Sequence, residues 1–106
     1  MTTKEIFNEM QKRMDANPAK LAGIKAVYQF DINGADPGVY SVAIADGKAV
    51  VSESTHASPN ITITMASDDF ADMVRGKLDG IMAFTMGKLR LEGDMMLAMK
   101  LQSLLK

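Results

Sequence analysis

The chain has 106 residues, no Cys, one His, ten Met and a net charge of −1. These counts exclude disulfides, thiolate nucleophiles, Cys-based zinc and iron–sulfur sites and any His-pair metal centre, and they argue against nucleic-acid binding by phosphate neutralisation. Met is the over-used side chain, and it packs rather than reacts, so composition points away from catalysis and toward an apolar site.

Thr2 and Glu5 have capping-box spacing. Ile6, Phe7, Met10 and Met14 then recur at helical spacing, which predicts an amphipathic helix from about Thr3 to Ala16. Asn17-Pro18 ends it and starts a short turn through Leu21. The period then changes to two. Tyr28, Phe30 and Ile32 alternate with Val27, Gln29 and Asp31, and Tyr40, Val42 and Ile44 with Ser41 and Ala43. Asp46-Gly47 is a hairpin signal, Ala49 to Glu53 returns, and Ile61, Ile63 and Met65 form a fourth strand. Short loops between consecutive strands predict an antiparallel meander of all four.

Helical spacing returns at Ser67, read as an N-cap with Asp68 and Asp69 in the first turn. Phe70, Met73 and Val74 form the apolar stripe and Gly76 the stop. Asp79 caps a second short helix ending at Gly87. Lys88 to Glu92 is a strand with Leu89 and Leu91 on one face, and Gly93-Asp94 opens the final helix. The expected fold is α+β: a single five-stranded, mostly antiparallel sheet with helices over one face. One domain over residues 1–106 is expected from the length. No stretch approaches the ~20 apolar residues of a membrane span. The N-terminus lacks a signal-peptide h-region and Leu104-Leu105-Lys106 is not a peroxisomal tripeptide, so the expected location is cytoplasmic.

The final helix carries apolar side chains at 95–99, 101, 104 and 105, far more than the stripe about 100° wide that packing on one sheet requires. Ile81, Met82, Phe84 and Met86 over-fill the preceding helix in the same way. Two over-apolar helices flanking one strand imply an apolar chamber between helices and sheet, or a second face for a partner or membrane.

Pro59-Asn60-Ile61-Thr62-Ile63-Thr64-Met65, Asp68-Asp69-Phe70, Gly76-Lys77-Leu78, Ala83-Phe84, Gly87-Lys88-Leu89-Arg90-Leu91, Gly93-Asp94-Met95 and Leu97-Ala98-Met99-Lys100-Leu101-Gln102, in this order and spacing, resemble the sterol carrier protein 2 domain family. Val27 to Ile32 and Asp46-Gly47 fit the family's first strands and hairpin. The resemblance implies helices enclosing an apolar tunnel for a fatty acid, fatty acyl-CoA, sterol or other lipid, and a carrier rather than an enzyme. Many members carry an aromatic residue and a Gln before the Gly-Lys-Leu block. Here Thr85-Met86 stand there, which leaves Thr85 as the nearest polar candidate.

The lipid-contact residues expected on this basis are Phe70, Met73, Ile81, Met82, Phe84, Thr85, Met86, Leu89, Met95, Met96 and Met99. Tyr40, Val42, Ile61 and Ile63 stay open between core and ligand contact, and Tyr28 and Phe30 read as core. No catalytic residue, metal or cofactor is expected. His56 lies in a polar loop without a nucleophile elbow, Asp31, Asp36 and Asp46 lack calcium-loop spacing, and no phosphate-loop pattern occurs. Lys77, Lys88, Arg90 and Lys100 read as solvated, or as partners for a carboxylate, a phosphate or a membrane surface. The expected partners are a small-molecule lipid and a transient membrane-surface contact, with no nucleic acid, on a monomer or weak homodimer. The alternative is an interaction or dimerisation module, or an accessory module presenting an isoprenoid, quinone-like lipid to a partner enzyme.

A 300 Å³ pocket left dry and rigid costs about 7 kcal/mol, comparable with a small domain's whole stability of roughly 5–15 kcal/mol. The chamber is therefore expected to be filled, wetted or collapsed. Met suits repacking, and the final helix is expected to act as a mobile cover.

Overall fold

A computed structural model describes residues 2–55 and 58–104. Helix α1 spans Thr3–Ala16, and its N-terminus carries the expected capping box: Glu5 N donates to Thr2 Oγ1 and Thr2 N donates to Glu5 Oε1. One turn, α2 (Pro18–Leu21), begins with Pro, whose missing amide hydrogen costs nothing at that position. Strands β1 (Ala26–Asn33), β2 (Gly38–Ala45), β3 (Lys48–Ser52) and β4 (Ile61–Ala66) precede α3 (Ser67–Val74) and α4 (Gly80–Thr85), and β5 (Leu89–Gly93) and α5 (Met95–Leu104) close the described chain. Asp46 and Gly47 both take positive φ in the β2–β3 turn, as a primed hairpin requires.

The strand order is β3-β2-β1-β4-β5, with every pair antiparallel except β1 with β4. The expected meander therefore holds for β1 to β3 and fails at β4, which returns to the far side of β1. The registers explain why a short connection suffices. Ser52 opposes Ser41, Ser41 opposes Gln29, and Gln29 opposes Thr62, so β3 ends at the level where β4 begins. Residues 53–60 need cross only three ladder spacings, about 14 Å, well within the extended reach of eight residues, roughly 26 Å. Asn60 anchors the arrival: its amide donates to Val27 O, and its side-chain oxygen accepts from Val27 N.

All helices cover one face of the sheet. Its inward positions on β1, β2 and β4 are Tyr28, Phe30, Ile32, Tyr40, Val42, Ile44, Ile61, Ile63 and Met65, and all of them are buried. Over β1 and β2 sits an aromatic cluster, in which Phe7 stacks on Tyr40 and Phe70 and meets Phe30 edge-on. Gln11 of α1 pairs with the edge strand β3, donating to Ala49 O and accepting from Val51 N, so its amide stands in for one residue of a missing strand. Arg13 donates to Val74 O and caps the end of α3.

Ser67 is the first helical residue of α3 and not its cap. Ala66 occupies the cap position, and the Ser67 hydroxyl instead accepts from Asp36 N. Asp36 in turn accepts from Thr3 N and, through its carbonyl, from Thr3 Oγ1. The β1–β2 turn thus ties the starts of α1 and α3 together.

Gly93 ends β5 at φ 118, and a Cβ there would collide with the Asn60 carbonyl oxygen and Ile61 Cα. Gly93→Ala is expected to lower the unfolding free energy by about 2 kcal/mol or more, from the strained φ and the clash together. Urea denaturation measures this, with Gly47→Ala, which meets no atom within 4 Å, as the milder comparison.

Candidate functional site

At the β4–β5 end the inward side chains are aliphatic, and the cover thins. Helix α4 buries one residue, Ala83. It is held by its cap, with Asp79 accepting from the amides of Ile81 and Met82. Gly76 and Gly87, both at positive φ, follow α3 and α4 and turn the chain out of each helix. Helix α5 packs down through Leu97, Leu101 and Leu104, a narrow stripe. A cavity of about 360 Å³ remains between α4, α5 and the sheet.

The cavity floor is Ile63 of β4 with Leu89 and Leu91 of β5. Its walls are Met73, Gly76 and Leu78 on one side, Asp79, Gly80, Ile81 and Phe84 along α4, and Met95, Ala98, Met99 and Leu101 along α5. Ile81, Phe84, Met95 and Met99 are also exposed, so the cavity opens to solvent between the two helices. Asp79 is the one ionisable group among the described lining residues, and its carboxylate already serves the α4 amides. The wall therefore offers apolar contact and no nucleophile–base pair. As a sealed dry void this volume would cost about 9 kcal/mol, so the open mouth is what makes it tolerable when water or a ligand enters.

Of the eleven residues expected to contact a ligand, Met73, Ile81, Phe84, Leu89, Met95 and Met99 line this cavity. Phe70 does not. It is fully buried in the aromatic cluster beneath α1. Thr85 does not either, because its exposed hydroxyl donates back to Ile81 O within α4. Met82, Met86 and Met96 point to solvent. The sequence reading missed Leu78, Leu91, Ala98 and Leu101 as lining residues. Leu91 shares the inward face with Leu89, and Ala98 follows Met95 by one helical step, so strand alternation and helical spacing held that signal. Ile63, left open between core and contact, is buried in the core and also lines the cavity floor. His56 lies outside the described residues. Lys88 is 3.8 Å from Asp69, and with Arg90 it borders a separate polar hollow beside Asn33 and Thr64. Among the described residues no group of three acidic or His side chains could hold a metal, and no helix is long and apolar enough to cross a membrane.

One polar contact fixes α5 to the sheet. Tyr28, fully buried on the central strand, donates its hydroxyl to Leu97 O at 2.8 Å. Burial, with the charge of Asp94 adding to it, pushes the Tyr28 phenol up to about 12.

A model of the SCP-2 sterol transfer family matches residues 7–106. The chain is 34% identical over 105 residues to peroxisomal multifunctional enzyme A of Dictyostelium discoideum, a match covering 96% of this chain and 24% of that protein. It is 35% identical over 103 residues to human sterol carrier protein 2, covering 93% of this chain and 19% of that protein. The chain thus spans a quarter or less of these relatives. Among solved structures, palmitated SCP2L2 from Aedes aegypti superposes with a TM-score of 0.83 at 27% identity, covering 99% of this chain and 95% of that one.

Tyr28→Phe removes the tether without emptying the core. It is expected to cost about 1 kcal/mol at neutral pH. The unfolded chain loses the Tyr28 proton first, near pH 10, so native stability falls as pH rises from about 10 to 12. That fall should be smaller in Tyr28→Phe. Tyr40, also pushed up mainly by burial, titrates in both proteins and cancels. Urea melts of the two proteins across this pH range check the difference.

Proposed function

The chain belongs to the SCP-2 sterol transfer family, and from that premise we propose that it is a non-enzymatic carrier of single-chain lipids, fatty acids and fatty acyl-CoA first, held in the cavity between β4–β5 and helices α4 and α5. The observation that carries this reading is the cavity itself: about 360 Å³, within the range of small-molecule sites, walled by aliphatic and Met side chains and open at one end. The palmitate in the Aedes aegypti structure supports the same class of occupant. Apart from the engaged Asp79 carboxylate the lining side chains are apolar and offer a head group no polar partner, so the acyl chain enters and the head stays at the mouth.

Met73, Ile81, Phe84, Leu89, Met95 and Met99, with Ile63, Leu91 and Ala98, are the proposed lipid contacts. Unbranched Met side chains at the mouth adapt to chains of different shape, which favours breadth over selectivity. Helix α5 acts as the cover, tethered to the sheet by the Tyr28–Leu97 contact. An isoprenoid presented to a partner enzyme would occupy the same cavity, and the lipid that co-purifies with the protein separates the two readings.

Palmitate at about a hundred times its Kd is expected to stabilise the fold by about 2.7 kcal/mol, which raises Tm by roughly 10 °C in a domain of this size. Ala98→Trp, which fills the cavity from α5, should fold and lose that shift. Thermal melts with and without palmitate, acyl-CoA and sterol read both. No shift with any of the three would overturn the carrier reading.

A further inference from the structure

The two edges of the sheet are finished differently. On β3 the Gln11 side chain takes Ala49 O and Val51 N, which blocks a further strand there. The free edge of β5 has no such cover. Asp94 N donates to Asn60 O, diagonal to the Ile61–Gly93 pair, and the register from Leu89 to Gly93 runs without a bulge. Arg90 and Glu92 therefore turn their amide and carbonyl groups to β4, while those of Leu89, Leu91 and Gly93 point away from the sheet. Among the described residues, no backbone or side-chain group pairs with them.

The side chains say which strand fits this edge. Arg90 and Glu92 stand on the face of the sheet that carries no helix and flank Leu91 symmetrically. Both are exposed, with no ion pair among the described residues. Like charges or a Pro would protect the edge. Here the two charges are opposite. A second copy running antiparallel, with a two-fold axis at Leu91, sets Leu91 against the partner's Leu91 and Leu89 against the partner's Gly93 as hydrogen-bonded pairs. Arg90 then meets the partner's Glu92, and Glu92 the partner's Arg90, as the closer, non-hydrogen-bonded pairs, where opposite charges attract. A strand of another sequence can satisfy the bare backbone groups, but this chain's own strand also matches both charges.

We propose that the chain self-associates through β5, joining two five-stranded sheets into one across a two-fold axis. With five residues on each side the strand contact is small, so the dimer is weak and forms as concentration rises. The axis runs normal to the sheet, so both helical layers lie on the same face. Leu89 and Leu91 floor the cavity, and Leu91 is only half-buried. Pairing brings the partner's Leu91 to about 5.5 Å, Cα to Cα, and the two cavity floors become one apolar strip. The pairing does not rest on the carrier reading.

The test is sedimentation velocity of the whole chain over a dilution series, with amide hydrogen exchange followed residue by residue in the same samples. A monomer–dimer equilibrium is expected. Exchange of the Leu91 amide should slow as the dimer forms, while that of Gly47, in the distant β2–β3 turn, stays unchanged. Glu92→Arg and Arg90→Glu each place like charges across the axis, and each alone should weaken association roughly tenfold or more. Both positions are exposed, so each variant should melt as the native chain does when dilute. An equal mixture of the Glu92→Arg and Arg90→Glu chains should associate again, because every pair across the axis is then opposite in sign. A chain carrying both substitutions should also recover. A monomer at every concentration overturns the proposal. So does a dimer in which Leu91 exchange is unchanged, or a mixture that stays monomeric. Loss of the palmitate-induced rise in Tm with pairing intact would strike the carrier reading and leave the dimer standing.

Discussion

Because β4 pairs with β1 in parallel, the buried face of the sheet divides into two halves with different cover. On the β3-β2-β1 side, α1 lays Phe7 among Tyr40, Phe30 and Phe70, and these rings fill the space between helix and strands. On the β4–β5 side neither strand carries an aromatic residue, and the cover is the six-residue α4 and the narrow stripe of α5. The same ladder that completes one core leaves the other half under-filled. The cavity lies in that half, over Ile63, Leu89 and Leu91 and beneath α4 and α5.

Three polar devices keep the under-filled half in place without closing it. Asp79 holds α4 by its first amides, Asp94 begins α5, and Tyr28 reaches from the central strand to a backbone carbonyl of α5. Each fixes backbone and leaves side chains free to rearrange. That division suits a lining of Met, Leu and Ile, whose side chains can repack while the backbone stays fixed. It also separates two roles on one helix: Leu97, Leu101 and Leu104 anchor α5, Met95, Ala98 and Met99 face the cavity, and Met96 and Lys100 face outward.

The excess of apolar residues in α4 and α5 was visible as an excess, but its destination was not. Read at face value it assigned all of Met82, Met86 and Met96 to a ligand. Helical geometry distributes neighbours over the whole circumference, so residues adjacent in sequence reach different solvents. Phe70 shows the same limit of periodicity. Its spacing with Met73 placed both on one stripe, yet α3 lies where Phe70 meets α1 and Met73 meets the cavity.

Local chemistry alone was enough for most elements. The Thr2–Glu5 box, the Asp46-Gly47 hairpin, the Asp79 cap and the change of period from 3.6 to 2 and back depend on hydrogen bonds and dihedrals within a few residues, so they survive in any tertiary setting. Together with the ordered blocks after residue 59 they determined fold class and family. The parallel β1–β4 pairing, the release of Ser67 from capping to bind Asp36, and the choice of which Met residues line a cavity were decided only by the assembled structure. Each depends on a partner distant in sequence, and no periodicity within one segment encodes which surface another segment will bring against it.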